Sequence, residues 1–180
     1  GMRVLVERCL DGQGQTESTF LERGVESFRR HYARSNGESA RLFPGAREGL
    51  DALRAAGLPL ACVTNKPAEF TIPLLERLGI AEYFSAVVAG DTLPYKKPRP
   101  EPIRHACAQI GVSATENVHI GDSLHDCEAA HAAGCCYFHV PYGYADPAQP
   151  VPVAIGKCDA LVSDLVDAAS RVGAINQGQH

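Results

Sequence analysis

The stretch V-H-I-G-D-S-L-H-D, residues 118–126, decides the fold. Its first three residues, Val118–Ile120, predict a short buried strand, and Gly121-Asp122 follow directly at the carboxyl end of that strand. Ser123 and Asp126 match the S-x-x-D pattern of a capping box, which predicts that a helix starts here. A strand, a loop and a helix in this order form one unit of an α/β fold.

The same unit recurs along the chain on both sides of this stretch. The predicted strands are short apolar runs: Leu60–Thr64, Ala86–Ala89, Val118–Ile120, Cys136–Val140 and a weaker Ala160–Val162. The predicted helices are residues 3–10, about 17–35, Ala46–Ala56, Ala68–Leu78, Glu101–Ile110 and Asp126–Ala133. Strands that are apolar throughout and alternate with helices indicate a parallel sheet covered on both faces.

Polar residues follow three of the predicted strands. Thr64 closes the first strand, Asp91 follows the second, Lys97 lies in the loop beyond it, and Asp122 follows the third. Ligands of such sheets bind at the carboxyl ends of the strands. A hydroxyl, a lysine and aspartates at one edge suit phosphoryl transfer, which needs donors for phosphoryl oxygens, a fixed cation and a carboxylate for a hard metal.

Each of these residues also has a purely structural explanation. Thr64 to Pro67 could simply start a helix, with the proline at the first helical position. Lys97 could be a solvated loop lysine, and Ser123 and Asp126 could only cap a helix. Asp122 is harder to explain this way, because a carboxylate tight against a strand end gains nothing structural without a partner.

Taken together and in this order, the residues resemble three of the four signature motifs of the haloacid dehalogenase superfamily. Thr64 matches the second motif, Lys97 before K-P-x-P the third, and Gly121-Asp122-Ser123 with Asp126 the fourth. The aspartate in the fourth motif is typical of the magnesium-dependent phosphatases rather than the dehalogenases. Further similarity to the phosphoglycolate phosphatase branch lies in V-T-N-K-P (63–67), G-D-T-L-P (90–94) and Y-G-Y (142–144).

The resemblance implies a role for each matched residue. Thr64 and Asn65 would bind the substrate, with the Thr64 hydroxyl donating to a phosphoryl oxygen. Lys97 would pair with the nucleophilic carboxylate and the phosphoryl group, and Lys96 is the alternative lysine. Asp122 would ligate Mg²⁺, and Asp126 would orient Lys97 or a metal-bound water. Ser123 is expected to serve first as a helix cap.

The resemblance also implies a fold and a domain division. We expect a parallel, Rossmann-like α/β sheet flanked by helices, with a partial helical cap at the N-terminus. Residues 1–41 would be the remnant of that cap domain, residues 42–172 an incomplete core, and residues 173–180 a flexible tail.

The first motif of the family, D-x-D-G-T at the end of its first strand, has no match in this sequence. Asp11-Gly12 is the only early Asp-Gly pair, and a helix rather than a buried strand is predicted ahead of it. In the family that strand lies in the middle of the sheet, between the strands that end here at Thr64 and Ile120. We therefore expect either a gap or a repaired sheet at this place. Three explanations are open: the missing part is lost by truncation, the two strands pair directly, or a neighbouring chain supplies a strand.

The functional prediction follows from the three matched motifs and from the missing first motif. The intact protein would be a Mg²⁺-dependent phosphomonoester hydrolase that acts on a small phosphorylated metabolite through an aspartyl phosphate. This chain itself would be inactive because it lacks the nucleophile. One alternative is a non-catalytic fragment or pseudoenzyme, which could form a homo-oligomer or be completed by strand complementation. The other alternative is a phosphosugar mutase.

Composition supports an ordinary globular protein. A net charge of -4 and a pI near 6.0 in 180 residues argue against a nucleic-acid or membrane-surface binder. The longest apolar runs are too short to span a bilayer, and a cytoplasmic location is predicted. The seven cysteines contain no C-x-x-C, and reduced, buried thiols are expected.

Overall fold

The computed structural model of the protein describes residues 2–11, 18–143, 151 and 158–177. Its helices are α1 (Met2–Asp11), α2 (Ser18–Ser35), α3 (Ala46–Ala55), α4 (Ala68–Arg77), α5 (Glu101–Ile110), α6 (Leu124–Ala133) and α7 (Leu165–Gln177). Its strands are β1 (Ala61–Val63), β2 (Ala86–Val88), β3 (Val118–Gly121), β4 (Cys136–His139) and β5 (Ala160–Leu161). Short 3₁₀ turns lie at Ala81–Tyr83 and Ala114–Glu116. The predicted alternation of strands and helices is therefore confirmed.

The structure differs from the prediction at the start of α6 and in the C-terminal part of the chain. Helix α6 begins at Leu124, two residues before the predicted start, because the Ser123 side chain and Asp126 form the capping box ahead of it. Helix α7 was not predicted, and it runs through Gln177, past residue 173 where a flexible tail was expected. Residues 178–180, Tyr144 and most of the Pro141–Pro152 loop lie outside the described residues.

The strands of the described residues form two separate parallel sheets. One contains β1 and β2, with Val63 opposite Val88, and the other has the order β3-β4-β5, with Ile120 opposite Phe138. No strand of the described part of the chain lies between β1 and β3. The expected gap is thus present, and the alternative that the two strands pair directly is wrong for this structure.

Helices hold the two sheets on either side of that gap. Helix α5 contacts β1, β2 and α6, and helix α3 contacts α7. Gly49 of α3 makes the contact with α7 possible, since a β-carbon there would lie 2.5 Å from the Leu165 carbonyl carbon. Between β1 and β3 these helices leave an apolar cavity of about 380 Å³. Residues 61–63 and 117–120 line it together with side chains of α3 and α5.

The two N-terminal helices pack against each other, and α2 contacts α4 on the β1 side of the core. Gly24 of α2 lets α1 approach closely, because a β-carbon would lie 2.8 Å from Val6. Tyr32 of α2 packs edge-on against Phe70 of α4, and the Asn36 side chain donates to the Phe70 carbonyl at 2.7 Å. The predicted domain boundary at residues 41 and 42 stays a prediction. No helix in the described ranges is both long and apolar enough to cross a membrane.

The cysteine prediction is wrong for one pair. Cys136 at the start of β4 and Cys158 ahead of β5 form a disulfide across a sequence separation of 22 residues. The sequence contains no short-range motif for it, since the pairing depends on β4 and β5 lying side by side. Cys62, Cys107, Cys127 and Cys135 form no disulfide among the described residues and are at least partly buried, whereas Cys9 is exposed. The predicted cytoplasmic location stays a prediction.

Candidate functional site

Lys97 lies at the centre of the polar edge, where it connects the two sheets. Its ammonium nitrogen Nζ donates to the carbonyl of Val63 at the end of β1 and to Oδ1 of Asp126 beyond β3, both at 2.6 Å. Only 11% of the Lys97 side chain is exposed, whereas Lys96 is exposed. This placement supports Lys97 over Lys96 as the lysine of the site.

Asp126 is the buried anionic partner of Lys97. Its Oδ1 also lies 3.3 Å from Nε2 of His119, and its Oδ2 accepts from the hydroxyl of Ser123 at 2.5 Å and from the Ser123 amide at 3.2 Å. Burial alone would raise the pKa of Asp126, but the hydrogen bond from His119 and the charge of Lys97 bring that pKa well below its usual range. The carboxylate is therefore ionised at neutral pH, and the expected contact with Lys97 is present. Its catalytic role stays a prediction.

His119 is a member of this cluster that the sequence reasoning missed. Burial lowers its pKa, against the opposing effect of Asp126, so the imidazole is neutral at neutral pH and can donate its proton to the carboxylate. A histidine inside an otherwise apolar strand was the available signal, because a buried polar side chain needs a hydrogen-bond partner.

Thr64 and Asn65 follow directly after β1, and their side chains form hydrogen bonds at its carboxyl end. The Thr64 hydroxyl accepts from the Lys66 amide at 3.1 Å, which leaves its own hydrogen for a further acceptor such as a phosphoryl oxygen. The Asn65 amide group brackets the Lys97 backbone, donating to its carbonyl and accepting from its amide, each at 2.9 Å. Asn65 therefore positions the lysine loop, and its predicted contact with substrate stays a prediction.

Asp91 stabilises the start of α4 in the same region. Its Oδ1 accepts from the Ala68 amide at 2.8 Å, which caps the start of α4. The neighbouring Gly90 lies against the backbone of Asn65, so closely that a β-carbon at Gly90 would overlap the Asn65 carbonyl. The strand ends of β1 and β2 are thus joined by backbone contacts that need this glycine.

Asp122 lies in the turn between β3 and α6, and two flanking features fix that turn. The buried Tyr137 of β4 donates from its hydroxyl to the carbonyls of Gly121 at 2.9 Å and Ser123 at 3.4 Å, on either side of Asp122. Gly143 packs against the Asp122 carboxylate, and a β-carbon on this glycine would overlap it. Neither contact was predicted, because both come from β4 and the loop after it.

The fit of these residues to a magnesium ion is partial. Asp122 offers one hard oxygen ligand, but Asp126 is engaged by Lys97 and Asp91 by the helix start. The described residues contain no group of three His, Cys, Asp or Glu side chains that could hold a metal ion. Mg²⁺ sites commonly combine one or two carboxylates with waters and substrate phosphates. Asp122 could therefore hold Mg²⁺ only together with groups from outside this set.

The family model of haloacid dehalogenase-like hydrolases matches residues 10–140. The chain belongs to this family. Among curated relatives of this hydrolase, a phosphoglycolate phosphatase from Nitrosospira multiformis is 42% identical over 174 residues, which cover 96% of the chain and 75% of the relative. A plasmid-encoded phosphoglycolate phosphatase from Cupriavidus necator is 45% identical over 165 residues, covering 92% and 70%.

Solved structures agree on the fold of this haloacid dehalogenase-like hydrolase. The crystal structure of a predicted phosphoglycolate phosphatase from Haemophilus somnus superposes with a TM-score of 0.82 at 33% identity, covering 93% of the chain and 75% of that protein. A β-phosphoglucomutase from Clostridium difficile superposes with a TM-score of 0.67 at 18% identity, covering 79% and 65%, and shows likeness of fold alone.

Proposed function

We propose that the intact protein is a Mg²⁺-dependent phosphomonoesterase and that this chain contributes its polar edge. The leading substrate is 2-phosphoglycolate. The observation that carries the proposal is the buried Lys97–Asp126 pair, placed between the ends of β1 and β3. The names of the relatives above 40% identity support the substrate, whereas the mutase neighbour supports only the fold.

The residues present can bind and orient a phosphoryl group. Thr64 has a hydroxyl hydrogen available for a phosphoryl oxygen, and Lys97 supplies a fixed positive charge whose position is set by Asp126 and Asn65. When bound, Mg²⁺ would neutralise charge on the phosphoryl oxygens, with Asp122 as one of its ligands. All of these groups act on charge and position, which is most of what phosphoryl transfer requires of a protein.

The nucleophile is the missing component. The sequence has no D-x-D-G-T match, and Asp126 and Asp91 are engaged in structural hydrogen bonds. We therefore propose that this chain by itself binds the phosphoester but does not form an aspartyl phosphate.

The first test is phosphate release from 2-phosphoglycolate with Mg²⁺, measured for this chain and for Asp122→Asn after a mass spectrum of the intact protein. We expect no release above background from either. Release that disappears in Asp122→Asn would show that the chain holds a nucleophile, which would refute our reading of its N-terminal part. Release that persists in Asp122→Asn would contradict the placement of the site.

The second test is equilibrium binding of 2-phosphoglycolate in the presence of Mg²⁺, by calorimetry. Lys97→Met should weaken binding at least about tenfold, equivalent to about 1.4 kcal/mol, because the fixed cation is lost. Lys96→Met is the matched control, since that lysine is exposed and adjacent in sequence. Equal effects of the two substitutions would mean that only general surface charge attracts the ligand.

A further inference from the structure

Three arginines line one open hollow at the surface, away from the polar edge. The hollow has a volume of about 500 Å³, and its charged lining residues are Arg41, Arg47, Arg77 and Glu38. Arg41 lies in the connection between α2 and α3, Arg47 in the first turn of α3, and Arg77 in the last turn of α4. This arginine hollow therefore collects three positive charges and one negative charge, in a chain whose net charge is -4.

Arg47 is held in place at the end of α4. Its guanidinium donates to the carbonyl of Leu78 at 2.6 Å and to the carbonyl of Gly79 at 3.0 Å, directly after the last residue of that helix. A structural explanation is that Arg47 only caps this helix end, where the last carbonyls and the helix dipole favour a cation. That explanation uses two of the five N–H donors of a guanidinium. The other donors make no hydrogen bond within the described part of the chain.

The other two arginines have fewer internal contacts. The Arg77 side chain lies along Gly37, where a β-carbon would be 3.0 Å from Cδ and 3.5 Å from Nε of the arginine. Its guanidinium forms no hydrogen bond or ion pair with the residues that the structure describes. The Arg41 guanidinium donates only to the carbonyl of its neighbour Ala40, at 2.8 Å. None of the three arginines forms an ion pair with a carboxylate of the described residues, so their charges are available to a ligand.

The chemistry of the lining determines the class of ligand. Guanidinium groups bind phosphate and carboxylate oxygens through paired N–H donors. A single phosphate group carries about two negative charges at neutral pH, so three guanidiniums match a ligand with more than one such group. The uncharged lining is small or aliphatic, with Ala40, Leu42 and Leu78, and no aromatic ring on which a base could stack is among the described lining residues. A diphosphate fits this lining better than the base of a nucleotide.

We propose that the arginine hollow is a binding site for a compact anion with two linked phosphate groups, of the inorganic pyrophosphate class. Helix α4 begins at Ala68, beside the ends of β1 and β2, and runs about 15 Å to Arg77. The hollow and the polar edge therefore lie at opposite ends of this helix. A bound diphosphate would connect the segment between α2 and α3 with the end of α4. The proposal does not rest on the proposed function, because it uses none of the residues of the polar edge.

The test titrates this chain with inorganic pyrophosphate, without Mg²⁺ and at low ionic strength, because salt screens exposed charges. Binding is followed by calorimetry and by the amide resonances in an NMR spectrum. We expect saturable binding, with shifts of the amides of Gly37, Arg41 and Arg47, and at least about tenfold weaker binding of orthophosphate. Adenosine diphosphate, which carries the same diphosphate group, should bind no more tightly than pyrophosphate.

Substitutions test whether the hollow is the site. Arg77→Gln should weaken pyrophosphate binding at least about tenfold, because it removes a guanidinium that no described residue occupies. Arg104→Gln is the matched control, since Arg104 donates to the Ala132 carbonyl at 2.6 Å near the end of α6 but does not line the hollow. It should leave binding unchanged. Glu38→Gln removes the one negative charge of the lining and should tighten binding about twofold.

Thermal melts without ligand separate a lost site from a lost fold. Arg77→Gln should melt like the native chain, and Arg41→Gln, whose guanidinium contacts only the adjacent carbonyl, provides a second variant with the same expected loss of binding.

Four results would overturn the proposal. Absence of saturable binding to the native chain would show that the hollow is an ordinary solvated surface. Equal weakening by Arg77→Gln and Arg104→Gln would mean that only general charge attracts the anion. Resonance shifts confined to the amides of Thr64 and Lys97 would place the ligand at the polar edge. Tenfold tighter binding of adenosine diphosphate than of pyrophosphate would contradict the choice of ligand class. Failure of the phosphatase assay would leave this site standing, since no measurement here depends on catalysis.

Discussion

Replacing Asp126 by asparagine removes the anionic partner of a buried lysine while keeping the size of the side chain. In the native protein the Lys97 ammonium lies 2.6 Å from the Asp126 carboxylate, with 11% and 8% of the two side chains exposed. After Asp126→Asn the ammonium keeps the Val63 carbonyl but loses its counter-charge. The substitution therefore leaves a charge with little access to water and no ionic partner.

The size of the effect follows from this burial. Breaking a buried ion pair by removing one partner costs about 3–5 kcal/mol. The exposed pair between Arg3 and Glu22 has almost the same distance, 2.7 Å, but its side chains are 55% and 64% exposed. Such surface pairs contribute about 0–1 kcal/mol. Glu22→Gln is therefore the matched control.

The assay is chemical unfolding in urea, followed by circular dichroism, for the native chain and both variants. We expect the free energy of unfolding to fall by about 3–5 kcal/mol in Asp126→Asn and by less than about 1 kcal/mol in Glu22→Gln. Asp126→Asn with an effect as small as that of the control would refute the account of a buried, mutually dependent pair.

The pH dependence gives an independent check with a defined sign. The folded-state pKa of Asp126 lies below its unfolded value, which is about 3.9 for an aspartate. Its contribution is thus fully present well above pH 4 and is lost as the pH falls through the folded-state pKa. The stability difference between the native chain and Asp126→Asn should stay constant at neutral pH and narrow on acidification below about pH 4. A difference that widens with acid would contradict this assignment.

Three further predictions concern the second sheet and its loops. Cys136→Ser should lower the free energy of unfolding by about 3 kcal/mol under oxidising conditions, and dithiothreitol should bring the native chain to the level of the variant in thermal melts. Tyr137→Phe removes the hydroxyl hydrogen bonds to the carbonyls flanking Asp122, but these carbonyls keep their backbone donors, so the change should cost about 0.5–1.5 kcal/mol and shift the Asp122 amide resonance in an NMR spectrum. Gly143→Ala should weaken Mg²⁺-dependent binding of 2-phosphoglycolate because its β-carbon would displace the Asp122 carboxylate, whereas Gly111→Ala, also at positive φ but in open space, should not.

The sequence was informative wherever a feature depends on neighbouring residues. The capping box of Ser123 and Asp126 and the strand–helix alternation are local, and both are present. The gap was predictable for a different reason, because the resemblance supplied a strand order that the chain could not complete.

Features that depend on the sheet order could not be read from the chain. The disulfide joins residues of β4 and the segment before β5, and Tyr137 reaches the Asp122 turn only because β4 lies beside β3. The contact of His119 with Asp126 likewise requires a strand side chain to meet the first turn of the following helix. No spacing rule in the sequence distinguishes these contacts from the many that do not form.

The proposed need for magnesium follows from the charges at the polar edge. Lys97 and Asp126 carry opposite charges 2.6 Å apart, so the pair adds no net positive charge to this edge. A bound phosphoester would add further negative charge there. Like charges in a site of low polarity repel strongly, and one lysine that already faces a carboxylate offsets only part of that repulsion. A divalent cation next to Asp122 would offset the rest, which gives a physical reason why substrate and metal should bind together at this edge.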